Sequence, residues 1–149
     1  MSPELIFAIA NNGILVFWLL LIVAPRWRGT ELAVHSIAVP LILGLAYAWL
    51  LARVWLGGEG APGTNYFTLP GVMALFDSPA GAVMGWIHYL VFDLFVGAWE
   101  ARDANRRGMA HWVVVISLIV TLMAGPVGLA LYLAVRRLSG RGGYLLEAA

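Results

Sequence analysis

Residues 14–24 read ILVFWLLLIVA, a stretch without a polar side chain, and Pro25, Arg26, Trp27 and Arg28 follow directly. Together with the apolar residues from Leu5 onward, this run is long enough for a helix to cross a hydrocarbon core about 30 Å thick, which takes about 20 residues. Arg and Trp just after such a run are typical of the membrane interface. The run is also longer than the core of a signal peptide, so residues 5–25 are predicted to form a retained first span.

The composition of the whole chain points to the same class of protein. Of the 149 residues, 62% are hydrophobic and 11% are charged, whereas soluble domains average about 45–50% and about 25%. The formal net charge is +1 and cysteine is absent, so neither a nucleic-acid partner nor a disulfide framework is expected. We predict an all-α, polytopic integral membrane protein with a single domain, residues 1–149.

Three further apolar runs predict spans at about 32–52, 80–99 and 110–135, which makes a compact bundle of four transmembrane helices. The Gly-rich residues 57–65 favour turns and are predicted to form a loop. The apolar segment that follows, up to Ser78, is too short to span and is predicted to be interfacial or re-entrant. Residues 100–108 are expected to be a charged connector, and residues 136–149 a short exposed tail.

Small residues repeat along the fourth span at the spacing of one helical face, and such stripes are typical of contacts between membrane helices. The same stripe could instead line a groove for a ligand. Pro40 and the Gly125-Pro126 pair are expected to kink their helices. The stripe consists of Ser117, Thr121, Gly125, Gly128 and Tyr132.

Asp93 is the one charged residue predicted to lie deep within a span. An ionised Asp at that depth costs about 2.5–3.5 kcal/mol on an insertion scale, so the side chain is expected to face protein. A low-dielectric interior favours the neutral acid, which can protonate a weakly basic oxygen. His88 lies on another side of the same helix, and we expect that both side chains point into protein.

Asn11 and Asn12 in the first span, and His35 in the second, are candidate polar partners of these two residues. Trp86 and Tyr89 share the helix face of Asp93, and their rings could stabilise a developing carbocation. The alternative is that the polar side chains only join helices and that the aromatic ones are membrane anchors. No two of His35, His88, Asp93 and His111, which come from three spans, have the i, i+3 or i, i+4 spacing of helical metal ligands, so no metal is predicted.

Several motifs resemble the abscisic-acid-deficient-four family, which is neoxanthin synthase-like. Weaker matches lie in the first span, at Ala10-Asn11 and Pro25. The most specific block is residues 88–97. The matching stretches are Leu75-Phe76, Trp86-Ile87-His88-Tyr89-Leu90, Phe92-Asp93-Leu94-Phe95-Val96-Gly97, Thr121-Leu122-Met123, Gly125-Pro126 and Leu131-Tyr132-Leu133.

The resemblance implies a four-helix membrane protein that converts violaxanthin, a carotenoid epoxide, into the allenic neoxanthin, an isomerisation without redox change. If the resemblance holds, Asp93 would protonate the epoxide oxygen, and His88 and Asn11 would be further catalytic candidates. Trp86, Tyr89 and Asn12 are the candidate substrate-binding residues. No cofactor is expected. The alternatives are a non-catalytic membrane subunit or lipophile-binding protein and, third, a transporter.

The expected partners are membrane lipid and a carotenoid or other isoprenoid ligand. All nine basic residues are Arg, and the chain is rich in Ala and Gly. This composition suggests a bacterial member of the family, a multi-pass protein of the bacterial inner membrane. The sequence leaves the oligomeric state open.

Overall fold

The computed structural model describes residues 1–145, which fold into helices without a β-strand. Four stretches are long and apolar enough to cross a membrane: Pro3–Val23, Arg28–Trp55, Pro79–Arg106 and His111–Leu138. This confirms the predicted all-α fold with four transmembrane helices. The helices are α1 Pro3–Val23, α2 Arg28–Val34, α3 Ala38–Trp55, α4 Leu69–Phe76, α5 Pro79–Arg106 and α6 His111–Leu138.

The second span is divided, because α2 ends at Val34 and α3 begins at Ala38. Pro40 explains the position of this break. A proline has no backbone N–H, and its ring clashes with the carbonyl four positions earlier, here that of Ser36. A continuous helix through Ser36 is therefore prevented, and Pro40 occupies the first turn of α3, where it is tolerated.

The segment between the second and third spans contains a loop and then a short helix. Gly58 and Gly63 have φ of 71° and 84°, in the left-handed region that favours glycine. Thr68 caps α4, since its hydroxyl accepts a hydrogen bond from the Gly71 N–H at 3.2 Å. α4 thus forms within the segment predicted to be interfacial or re-entrant.

α5 continues as a helix to Arg106, so the predicted connector at residues 100–108 is wrong for most of its length. Glu100 and Asp103 are buried there rather than exposed. α6 likewise continues to Leu138 and buries Arg136, so the exposed segment begins after the predicted position. Residues 146–149 of the predicted tail lie outside the described residues.

The chain divides into two compact units, and α1 and α5 each contribute to both. The first unit comprises Met1–Leu15 and Ile37–Val91. The second comprises Val16–Ser36 and the described part of Phe92–Ala149. That the whole chain forms one domain stays a prediction. The core of the first unit consists of Ile6, Ala10, Leu50, Val54, Leu75, Ala80, Val83, Met84 and Ile87.

α6 belongs to the second unit and contains the predicted kink. Ala124 has φ −155° and ψ 58°, which is not helical, directly before Gly125-Pro126. The bend brings Gly128 against the backbone of Thr121, where a β-carbon on Gly128 would overlap it. The whole predicted stripe on α6 is buried, so in this helix the small residues serve close packing.

Candidate functional site

Asn11 and Trp86 are brought together by α1 and α5 in the first unit. The Trp86 Nε1–H donates a hydrogen bond to Asn11 Oδ1 at 3.0 Å. The ring of Phe7 packs beside Trp86, with the two ring centres 5.9 Å apart. An amide and an indole that would each be costly to expose to lipid therefore satisfy one another. This joins one catalytic candidate to one substrate-binding candidate.

Asn12 and Tyr89 face outward from the first unit. The Asn12 side-chain amide donates to the carbonyl of Ala8, one turn earlier in its own helix, at 2.8 Å. Tyr89 is 54% exposed. Asn12 therefore bonds within α1, unlike its neighbour Asn11, whereas the Tyr89 ring is accessible to a lipophilic molecule.

His88 is exposed, so the expectation that it points into protein is wrong. Its ring lies among aromatic neighbours, with the centre of the Tyr47 ring 5.9 Å away and that of Tyr89 6.2 Å away, the latter edge-on. The depth of a residue in a span does not indicate such neighbours. Rings whose centres lie about 4.5–7 Å apart attract one another, so the two tyrosines provide contacts for the imidazole on the outward face of the unit.

Asp93 is half-buried in the second unit and lies at the kink of α6. Its carboxyl oxygens come so close to Gly125 that a β-carbon at this position would overlap them. Ala124, the non-helical residue, directly precedes this contact. The missing N–H of Pro126 and the break itself interrupt the helical hydrogen bonds here. Asp93 thus places a carboxyl group beside irregular backbone within a span.

A buried charged cluster near the end of α5 was missed by the sequence analysis. Asp103 is 2% exposed and accepts hydrogen bonds from the Tyr132 hydroxyl at 2.6 Å and from Arg136 Nη1 at 2.8 Å. Arg107 Nε donates to both carboxyl oxygens of Asp103 at 2.9 Å. Asp103 is therefore a structural anion that ties α5 to the last turns of α6.

Glu100 lies one turn before Asp103 and is fully buried. The hydroxyl of Thr121 donates to its two carboxyl oxygens at 3.0 and 3.2 Å. Two signals in the sequence could have located this cluster. Glu100 follows Asp93 by seven residues on one helix face, and Arg136 extends the buried stripe of α6 by one more turn.

The second unit also contains a cavity of about 490 Å³. Arg102 Nη1 donates to His35 Nδ1 at 2.9 Å, so the imidazole accepts on this atom. His111 Nε2 donates to the carbonyl of Ile22 at 2.9 Å. The polar part of the lining, which includes two arginines, suits an oxygen-rich group. Its polar lining consists of Arg26, Glu31, His35, Arg102, Asn105 and His111.

Metal ligands do not cluster in the described part of the chain. Within residues 1–145, no three His, Asp or Glu side chains are arranged to hold a metal ion. The predicted absence of a metal stays a prediction. His35, which the sequence suggested as a partner of Asp93 or His88, instead contacts Arg102 at the cavity.

Comparison with known proteins places the chain in a family. The model of the ABA DEFICIENT 4-like family matches residues 5–132. The chain is 30% identical, over 134 residues, to Protein ABA DEFICIENT 4, chloroplastic, from Arabidopsis thaliana. This match covers 83% of the chain and 57% of the plant protein, so the chain spans little more than half the length of that relative. No solved structure matches.

The expected bacterial source and bacterial inner membrane are not supported, because the relative found is a chloroplastic plant protein. The expected family is confirmed, and the matched region contains all six candidate site residues together with Glu100, Asp103 and Tyr132 of the buried cluster. The chain belongs to the ABA DEFICIENT 4-like family.

Proposed function

We propose that this chain is a membrane-embedded isomerase that acts on a carotenoid or another isoprenoid lipophile, with Asp93 as the acid. Family membership supports a role related to carotenoids, since the family resembles neoxanthin synthase. The chain spans 57% of its plant relative, so the activity of that longer protein is proposed for this chain only on the strength of its own residues.

The observation that carries the proposal is the placement of Asp93 against Gly125 at the break of α6. Burying a carboxyl group within a membrane span costs free energy. Such residues are therefore candidates for function by default. As the neutral acid, Asp93 can donate a proton to a bound substrate. The glycine allows the carboxyl group to approach the irregular backbone.

The proposed reaction is balanced without a redox partner. Asp93 donates a proton to the epoxide oxygen of the substrate, and the C–O bond breaks with its electron pair moving to that oxygen, which becomes a hydroxyl. The resulting carbocation loses a proton from the adjacent polyene carbon and forms the allene. This proton returns to the Asp93 carboxylate and restores the acid, so the product is an isomer of the substrate.

The remaining candidates have separate proposed roles. Trp86 and Tyr89, which are 42% and 54% exposed, offer ring faces that a polyene could reach and that could stabilise positive charge. His88 and Asn11 are proposed to orient the substrate or to move the proton. Asn12 has the weakest case of the substrate-binding candidates, because its amide already bonds within α1.

Reconstitution of the purified chain in liposomes that contain violaxanthin tests the proposed activity. Chromatography of the extracted pigments should reveal an isomer of unchanged mass that grows with time and with protein concentration. Liposomes with heat-inactivated protein provide the control. If the active protein forms no isomer from violaxanthin or from other epoxide-bearing isoprenoids, the proposal of an isomerase is wrong.

The second candidate function is that of a non-catalytic membrane subunit or lipophile-binding protein. The buried cluster around Asp103 favours it, because polar side chains there join helices. Pigment that copurifies with the chain and stays chemically unchanged would favour this function. Conversion of the pigment would exclude it.

A further inference from the structure

The cavity of the second unit lies where several helices of that unit begin or end. α1 ends at Val23 and α2 begins at Arg28, while α5 ends at Arg106 and α6 begins at His111. Residues adjoining these ends line the cavity. Since span ends mark the border of the hydrocarbon core, the cavity lies at the level of lipid head groups.

Two tryptophans at the same helix ends also indicate that the cavity lies at the level of the lipid head groups. Trp27 is 59% exposed just before α2, and Trp112 is 70% exposed in the first turn of α6. Tryptophan is enriched at membrane interfaces, where its ring is in apolar surroundings and its N–H reaches polar groups. The cavity is therefore within reach of the phosphates of the surrounding lipids.

The charged lining of the cavity favours an anion. Arg26 and Arg102 contribute two guanidinium groups, whereas Glu31 contributes one carboxylate. The hydrogen bond from Arg102 to His35 fixes the orientation of one guanidinium at the cavity wall. A guanidinium presents its N–H donors in a planar fork that matches phosphate oxygens.

The apolar part of the lining, here called the apolar wall, consists of Pro25, Ala101, Ala104, Met109, Val114 and Leu118. A ligand that fills the space must therefore combine a charged group with apolar carbon. An anionic phospholipid has this combination at the junction of its phosphate and its acyl chains. Basic pockets between membrane helices bind such head groups in other proteins.

We propose that this cavity binds the phosphate group of an anionic lipid, with Arg102 and Arg26 as its ligands and the apolar wall against the adjoining carbons. Glu31 weakens binding by repulsion and so sets the affinity of the site. This binding is independent of the proposed isomerase activity, and it holds whether or not the chain converts a pigment.

Native mass spectrometry of the full chain, released from micelles that contain phosphatidylglycerol or phosphatidylcholine, tests the proposal. The unmodified chain should retain phosphatidylglycerol in preference to phosphatidylcholine. Arg102→Gln should reduce retention of phosphatidylglycerol about tenfold, the size of one lost charge-assisted contact. Arg28→Gln is the matched control, because Arg28 lies at the same end of the unit but does not line the cavity. It should change retention less than about twofold.

Two further variants keep the test decisive if Arg102→Gln fails to fold. Arg26 is exposed, so Arg26→Gln should fold and still lower retention. Glu31→Gln should raise retention by about two- to fivefold, because it removes the repulsive charge. Equal losses in Arg102→Gln and Arg28→Gln, or no gain in Glu31→Gln, would overturn the proposal.

Inorganic phosphate distinguishes the two sources of the anion. If added phosphate displaces phosphatidylglycerol, the cavity recognises phosphate itself and a free phosphate can fill it. If phosphate has no effect while the Arg102 and Glu31 variants behave as expected, the attached glycerol and acyl carbons are needed and the ligand is the lipid. Both results support the phosphate site, whereas equal retention of phosphatidylglycerol and phosphatidylcholine by every variant contradicts it.

Discussion

The carboxyl group of Asp93 lies against the α-carbon of Gly125, next to the residue at which α6 departs from helical geometry. This contact joins the carboxyl group that was predicted to lie deep within the third span to the kink of the fourth. It also makes Gly125 necessary for a steric reason, since any β-carbon there would enter the space of the carboxyl group. The first prediction follows from this contact.

Gly125→Ala should destabilise the protein by about 1–3 kcal/mol, the usual cost of overpacking a filled site. Thermal unfolding in detergent, followed by circular dichroism, measures the effect. Gly44→Ala is the control, because a β-carbon at Gly44 would meet nothing within 4 Å. In that helix alanine should be neutral or slightly stabilising. Equal melting temperatures for the two variants would mean that the contact with Asp93 does not constrain the fold.

Arg136→Gln should be strongly destabilising, because the buried carboxylate of Asp103 loses its buried cationic partner at 2.8 Å and keeps only the contacts with Tyr132 and the arginines of its own helix. Breaking a buried ion pair from one side costs about 3–5 kcal/mol. Arg137→Gln changes the neighbouring, exposed arginine and should alter stability by less than about 0.5 kcal/mol. Chemical unfolding of both variants provides the comparison. Similar unfolding midpoints would show that the ion pair between Arg136 and Asp103 contributes little to the free energy of unfolding.

Tyr132→Phe removes one hydroxyl from the same cluster without changing the ring. The Tyr132 hydroxyl donates to Asp103 at 2.6 Å and is fully buried, so its loss should cost about 1–3 kcal/mol. Tyr144→Phe, at a residue that is 79% exposed, should have no measurable effect on the free energy of unfolding. If Tyr132→Phe is as stable as the unmodified chain, the bond does not contribute to folding.

Hydropathy and spacing were sufficient to predict the four spans and the kink of α6. Apolar runs of membrane-spanning length leave few alternatives to a helix, because backbone groups must bond internally in lipid. The packing stripe from Ser117 to Tyr132 was also visible, since small residues repeat on one helix face. These features depend on residues close together in the chain.

The buried cluster could not be predicted in the same way, because its stability depends on partners far apart in sequence. Asp103 and Arg136 are 33 residues apart, and each taken alone resembles a charge at the end of a span. Their pairing allows α5 to bury Asp103, and the Thr121 hydroxyl on α6 is the partner of the buried Glu100. The exposure of His88 was missed for a related reason, since its neighbour Tyr47 belongs to another helix.

The central proposal is that Asp93 supplies the proton for isomerisation, and Asp93→Asn tests it most directly. Asparagine keeps the size and hydrogen bonding of the side chain but cannot act as the acid. Asp77→Asn, the same substitution at an exposed residue between α4 and α5, is the matched control. The quantity to measure is the initial rate of isomer formation in violaxanthin liposomes, at equal amounts of folded protein. We predict a loss of at least about 100-fold for Asp93→Asn and an unchanged rate for Asp77→Asn. An undiminished rate in folded Asp93→Asn would contradict the acid role of Asp93.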